Sequence, residues 1–288
     1  MAFTQKLINV TFNSGAGSFS PISLTGLRIT CHTEAGAEPS MLWCDLLIYG
    51  MTLSHMNQLS TLGWAVQKPG KDTISVYAGD ASGMSLIYKG DIWQAVSDYQ
   101  GGPNLPFHVV AKSGSRESAL NVKPISVNSK SADFAQLWQQ IAQKMGLQPE
   151  TNGINVKLAY PYLPYSARDM AVALAQHANV NWTIDRDVLA AWPRYGSRQG
   201  AAPLISPQTG MVGYPSWSAS GIKIRTLFNN ELKIGGKVQV QSSITPANGT
   251  WSISKLEHNL QALTPNGEWF TTIEAYSLDS KMAGVNPL

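Results

Sequence analysis

GMVGYPSWSASGIKIRTLFNNELKIGGKVQVQSSITPANGTWSISKLEHNLQALTPNGEWFTTIEAY, residues 210–276, is a series of short alternating segments cut by turn residues. Ile222, Ile224, Thr226 and Phe228 alternate with Lys223 and Arg225, and Val238 and Val240 alternate with Lys237, Gln239 and Gln241. A period of two sends successive side chains to opposite faces, so these segments are half-buried strands. The interruptions are Asn229-Asn230, Gly235-Gly236, Pro246 to Gly249 and Pro265 to Gly267. Each supplies residues that tolerate positive φ or fix φ. The stretch predicts a compact antiparallel barrel or sandwich, and it contains no catalytic constellation.

The N-terminal part, residues 1–118, also reads as β-rich. Leu7 to Phe12 alternates, Leu24 to Thr30 follows a Gly/Ser loop, and Thr73 to Ala78, Leu86 to Trp93 and Phe107 to Ala111 complete the set. Met41 to Tyr49 is almost continuously apolar, which predicts a central strand buried on both faces. Leu53, Met56 and Leu59 recur at three-residue spacing and predict one short helix over 52–60. These elements are assigned to a first barrel.

Residues 119–193 change character. Ser131 is the expected cap of a helix running to Met145, with Phe134, Leu137, Trp138, Ile141 and Met145 on one face and Gly146 as its stop. Ser166, with Asp169 three residues on, opens a second helix through Met170, Leu174 and His177 that ends near Asn179. Ile154 to Ala159 predicts a strand, and 180–184 with 188–192 predicts a hairpin across Asp185-Arg186-Asp187. The fold expected is mainly β with an α/β insert: two β-barrel domains, 1–118 and 194–288, flanking a small α/β domain at 119–193. Residues 194–218 show little periodicity and are expected to form a long loop.

Composition narrows the function. Hydrophobic residues make up 43% of the chain, which excludes disorder, and charged residues only 14%, which suits a surface largely covered by neighbours. Net charge is +3 with no Lys/Arg cluster, so no DNA-reading face is indicated. Cys31 and Cys44 are too few for a zinc site and are read as buried free thiols, a cross-strand disulfide being the alternative. No signal peptide or membrane-length apolar run is visible, so the expectation is a soluble protein made in the cytoplasm.

Signatures of catalytic or metal chemistry are sparse in this sequence. The histidines, His32, His55, His108, His177 and His258, fall in no metal-binding pattern; His177 is assigned to a helix's apolar face and His258 to a structural hydrogen bond. Gly236-Lys237 lacks the upstream glycine of a phosphate loop, and no nucleophile elbow is present. Glu34 and Glu38 are close in sequence but sit in an Ala/Gly/Pro loop as solvated carboxylates. Of the tryptophans, Trp93, Trp251 and Trp269 are assigned to barrel cores, while Trp64 and Trp217 are candidates for contact surfaces. Tyr214, Pro215 and Trp217 form the candidate interface. No catalytic, metal or cofactor-binding residue is nominated.

One ordered set of segments carries a resemblance. Gly210 to Pro215, Leu227-Phe228-Asn229, Gly235-Gly236, Gly249-Thr250-Trp251, Leu256 to Leu260 and Gly267-Glu268-Trp269 resemble the C-terminal half of contractile-tail phage baseplate hub proteins. That group is related in plan to late-control protein D and to the hub part of type VI secretion spikes. Leu47 to Leu59, Ala78-Gly79-Asp80 and Gly90-Asp91-Ile92 fit the same family. The resemblance implies a structural, non-enzymatic subunit of the virion: a homotrimeric ring of two tube-like barrels per chain. Pseudo-sixfold symmetry would join a hexameric tail tube to a trimeric central spike and leave a channel for DNA ejection. Its partners would be copies of itself, the spike, tube or tube-initiator proteins and neighbouring baseplate proteins, with passing DNA touched only non-specifically. Lys223, Arg225, Lys233 and Lys237 are therefore expected to face away from a lumen or to pair with acids. The alternatives are a tail-tip enzyme degrading cell wall or polysaccharide, and a monomeric glycan- or receptor-binding β protein.

Overall fold

Alternating apolar residues at Ile8, Val10 and Phe12 point to one face of Leu7–Ser14 and are buried there, which is the pattern that organises the first half of the chain. The structure is a computed structural model and describes residues 4–15, 17, 19–37, 42–60, 72–97, 104–219 and 221–278. Its contacts divide the chain into two units. The first comprises Met1–Glu34, Leu42–Ala119 and His258–Trp269; the second comprises Ala35–Met41, Leu120–Glu257 and Phe270–Leu288.

The first unit is built on β1 (Leu7–Ser14), β2 (Ile22–Leu24), β3 (Arg28–Gly36), β4 (Trp43–Tyr49), β5 (Asp72–Asp80), β6 (Gly83–Ser97) and β7 (Pro106–Lys112), with short helices α1 (Leu53–Leu59) and α2 (Ser115–Ala119). The strands lie in the order β3-β4-β7-β6-β5-β1-β2, and residues 258–262 lie beside β3. Among the described residues the pairings within β1–β7 are antiparallel. Ile29, Leu46, Ile48, Ile74, Val76, Phe107 and Val109 fill the core face. In β4, Cys44, Leu46 and Ile48 are buried while Trp43, Asp45, Leu47 and Tyr49 are only partly so. The continuous apolar run thus marks one core face and one half-covered face, not burial on both. α1 begins with the Thr52 hydroxyl accepting the His55 N–H and buries Met56 and Leu59, but Leu53 is exposed.

The second unit begins with β8 (Ile125–Ser126), β9 (Ala132–Asp133), α3 (Phe134–Met145), β10 (Gln148–Glu150), β11 (Lys157–Leu158), β12 (Tyr162–Leu163), α4 (Ala167–Ala178), β13 (Val180–Asp185) and β14 (Val188–Pro193). α3 and α4 share a core with the β13–β14 hairpin, centred on Phe134, Leu137, Trp138, Met170, Leu174 and Trp182. The Trp138 indole N–H donates to the Leu189 carbonyl at 3.0 Å, so its polar atom is satisfied inside that core. The α3 cap is Asp133, whose carboxylate accepts the Ala135 N–H, and not Ser131. The expected cap at Ser166 and stop at Asn179 are observed in α4. The strand expected over 154–159 is reduced to the two residues of β11.

The remainder is β15 (Leu204–Ile205), β16 (Met211–Ser218), β17 (Gly221–Leu227), β18 (Lys237–Val240), β19 (Gly249–Ala262) and β20 (Trp269–Ser277). The region 194–218, expected to be a loop, therefore contains β15 and β16. Periodicity missed them because β16 is exposed along most of its length and is held by its ladder to β17. Ile222, Ile224, Val238, Trp251, Ile253 and Ile273 form the buried side. The fold is mainly β with an α/β insert. Among the described residues the strand ladders form open paths that end on strands such as β2, and the sheets are not closed into the two expected barrels. Among the described residues no helix is long and apolar enough to cross a membrane.

Candidate functional site

Two residues per strand period would normally hide one face of β16, yet its exposure is nearly continuous from Val212 to Trp217. The cause is a bulge. Val212 pairs with Arg225 and Ser216 with Lys223, so Gly213, Tyr214 and Pro215 together stand opposite Ile224. Gly213 takes φ +74°, which permits the kink. The side chains of Tyr214 and Trp217 are 71% and 60% exposed, and Pro215 is half-buried. The structure thus brings the three candidate interface residues onto one bulged strand that, among the described residues, pairs only with β17.

Of the basic residues singled out in the sequence, Lys223 and Arg225 are engaged. Lys223 Nζ approaches Glu274 Oε1 at 4.0 Å, and the Arg225 guanidinium lies 4.0 Å from the centre of the Phe270 ring. Lys233 and Lys237 line a cavity of about 430 Å³ together with Glu150, Arg198 and Glu231. Arg198 is buried and grips Glu150 through two bonds, Nε to Oε1 at 2.7 Å and Nη2 to Oε2 at 2.6 Å. Asp185 Oδ2 lies 3.8 Å from Nη1 of the same guanidinium. Burial would push the Glu150 carboxyl up, but Arg198 and the Asn152 amide outweigh it and hold the carboxyl below its ordinary value. A carboxylate held ionised in this way is a structural tie, not a proton donor poised for hydrolysis.

The other nominated residues are dispersed. Trp251 is a core residue whose indole N–H donates to the Ala247 carbonyl, but Trp93 and Trp269 are only half-buried. Trp93 falls at a register shift between Ile92 and Gln94, which turns it out of the core to lie under Lys112 Nζ. His177 is exposed on the last turn of α4, contrary to the apolar-face assignment, and His258 is buried. Glu34 lies on β3 opposite Trp43, while Glu38 and Trp64 lie outside the described residues. Cys31 and Cys44 are free and buried; burial and the neighbouring Cys31 thiol push the Cys44 thiol well above its ordinary range. Among the described residues no group of His, Cys, Asp or Glu side chains is placed to hold a metal ion.

Sequence reasoning passed over Tyr160, Tyr162 and Tyr165, which are exposed on the α/β insert, and the Arg198–Glu150 pair. The run YPYLPY at 160–165 was a visible signal for the first; nothing local marks the second, whose members are far apart in sequence.

A family profile described as Baseplate hub gp41 matches residues 7–274. A 43 kDa tail protein of prophage MuSo2 from Shewanella oneidensis shares the fold at TM-score 0.60 and 10% identity, over 96% of this chain and 97% of that one. A tail protein from Neisseria meningitidis MC58 does so at TM-score 0.61 and 9% identity, over 96% and 97%. A chain of the Francisella PdpA-VgrG complex matches at TM-score 0.55 and 8% identity, over 99% of this chain and 59% of that one. Among curated proteins no sequence match is found.

Proposed function

The chain belongs to the baseplate hub gp41 family, and from that premise we propose that three copies form a ring joining the tail tube to the central spike. Its role in the tail baseplate is structural. The observation that carries the reading is the family match, which runs from the first described strand into the last. The likeness of fold to a prophage tail protein and to a further tail protein supports it.

Residues 1–118 and 194–288 are the ring-forming β modules, and 119–193 is an insert directed at neighbouring baseplate proteins. Two modules in each of three copies present six similar surfaces to a hexameric tube, while the whole keeps threefold symmetry toward a trimeric spike. The ring's centre is the passage for ejected DNA. Its function is mechanical: it holds the spike until contraction and leaves an open channel afterwards. Tyr214, Pro215 and Trp217 contribute to the contact between copies. Large exposed aromatic side chains at an unpaired strand edge are costly to leave in water and suit a covered interface. The pairing of Lys223 with Glu274 and the stacking of Arg225 on Phe270 limit the positive charge available to trap a passing polyanion.

Light scattering on the purified chain, alone and mixed with the spike protein, tests the ring. A species of three chains in either sample is the expected result. A single-chain mass in both samples overturns the trimer.

A further inference from the structure

The segment YPYLPY contains one residue in a left-handed conformation, Tyr160, and its three tyrosine rings are more than half exposed. Residues 125–133 and 157–163 run antiparallel as an interrupted ladder: β12 pairs with β8 and β11 with β9. The gap between the two pairs is bridged by the Val127 N–H donating to the Pro161 carbonyl at 3.1 Å and the Tyr160 N–H donating to the Ser129 carbonyl at 2.7 Å. On the inner face Ile125, Ala132 and Leu163 enter the α3–α4 core. On the outer face Tyr160 and Tyr162 are 52% and 63% exposed, and Tyr165, just before α4, is 61% exposed.

We propose that this outer face, Tyr160, Tyr162 and Tyr165 with Lys123 and Lys130, is a docking surface for an acidic segment of another protein. Three observations carry this. First, Tyr160 has φ +48°, a left-handed conformation that a bulky L-residue adopts only when its surroundings impose it, and such outliers gather at functional positions. Second, the tyrosines are already ordered, by the ladder and by Pro161 and Pro164 on either side of β12, so they lose little freedom when they engage a partner. Tyrosine on a rigid frame supplies large contact area with few rotatable bonds.

Third, the charge is unequal. Lys123 and Lys130 are exposed and make no ion pair among the described residues. Of the acids close by in the chain, Asp133 pairs with Lys157 at 2.6 Å and caps α3, and Asp169, whose carboxylate accepts the Ser166 hydroxyl at 2.7 Å, stays an exposed negative charge against the two lysines. The face therefore offers phenol and ammonium donors, the groups that satisfy carboxylates. Two free lysines are too few for a nucleic acid, whose binding draws on many phosphate contacts, whereas three tyrosines suit a protein segment in which acidic residues alternate with apolar ones. This surface is separate from the Tyr214–Trp217 edge and does not depend on the ring being trimeric.

The test uses the full-length chain and fluorescence anisotropy at low salt. The probes are a labelled peptide alternating glutamate with leucine, its lysine–leucine counterpart, and an oligothymidylate. The expected result is saturable binding of the acidic peptide alone, weakened about tenfold or more by Tyr162→Ala with Tyr165→Ala, and likewise by Lys123→Glu with Lys130→Glu. Both double variants should keep the parent's thermal midpoint, since the altered side chains are exposed. Absence of binding, or binding that the variants leave unchanged, overturns the proposal. Preferential capture of the oligothymidylate makes the face a nucleic-acid surface instead. A change in the chain's own solution mass on tyrosine replacement makes it a contact between copies.

Discussion

Gly235 stands where no other residue fits. Its φ is +71°, and a Cβ built on it would lie 2.5 Å from Trp192 Cε2, inside van der Waals contact with a fully buried ring. Its N–H donates to the Ile253 carbonyl and its own carbonyl accepts the Arg198 N–H, so the backbone cannot swing away without breaking both bonds. Gly235→Ala should therefore cost about 2 kcal/mol or more, read as a lower denaturant midpoint with an unchanged slope. Arg198, one hydrogen bond away, sets a second expectation. Its guanidinium is buried, and removing Glu150 leaves it with Asp185 at 3.8 Å as its remaining carboxylate. Glu150→Gln should destabilise by about 1–3 kcal/mol near neutral pH. The folded-state pKa of Glu150 lies below its ordinary 4.5. The stabilisation is therefore complete above 4.5 and is lost as pH falls through the folded value. Urea midpoints of parent and variant should stay apart above pH 4.5 and converge below it. A gap that persists undiminished into strong acid would show that the pair is not the source.

The helices carry a prediction of their own. The Ser166 hydroxyl accepts the Asp169 N–H at 3.3 Å and donates to its carboxylate, closing the first turn of α4 in both directions. Ser166→Ala should cost about 1 kcal/mol, while Ser166→Asn should restore most of it; equal loss in both would point to packing, not capping. This helix was legible because both its ends are local chemistry, a serine before it and Asn179 in the left-handed region after it. α3 was legible in its apolar face but not in its start. Ala132 is drawn into a two-residue ladder with Leu158, a partner far along the chain, and this shifts the cap from Ser131 to Asp133. The same cause hid β16. Gly213, Pro215, Ser216 and Ser218 look like loop when read alone, and only the ladder to β17 makes them a strand. A bulge likewise decided the face of Trp93, since a shift of one residue reverses the sides of a strand. Tyr214, Pro215 and Trp217 were therefore readable as residue types, and their placement on an edge strand was not.

At the scale of the molecule, self-association should be separable from folding. Tyr214 and Trp217 are exposed within the single chain, so they add little to its own core, while their burial between copies would contribute substantially. If they lie at the contact between copies, Tyr214→Ser with Trp217→Ala should reduce the solution mass from three chains to one. The fold of the chain should survive, with its far-ultraviolet dichroism unchanged. Assembly stabilises whatever assembles by mass action, so the parent's thermal midpoint should rise with protein concentration and the variant's should not. The control is Tyr162→Ala with Tyr165→Ala, which lies on the insert and should leave the mass at three chains. A trimer that persists in the β16 variant would remove that strand from the contact between copies without touching the family assignment. Loss of the trimer in the insert variant instead would place the tyrosine ladder at that contact and leave β16 free to meet the tube or the spike.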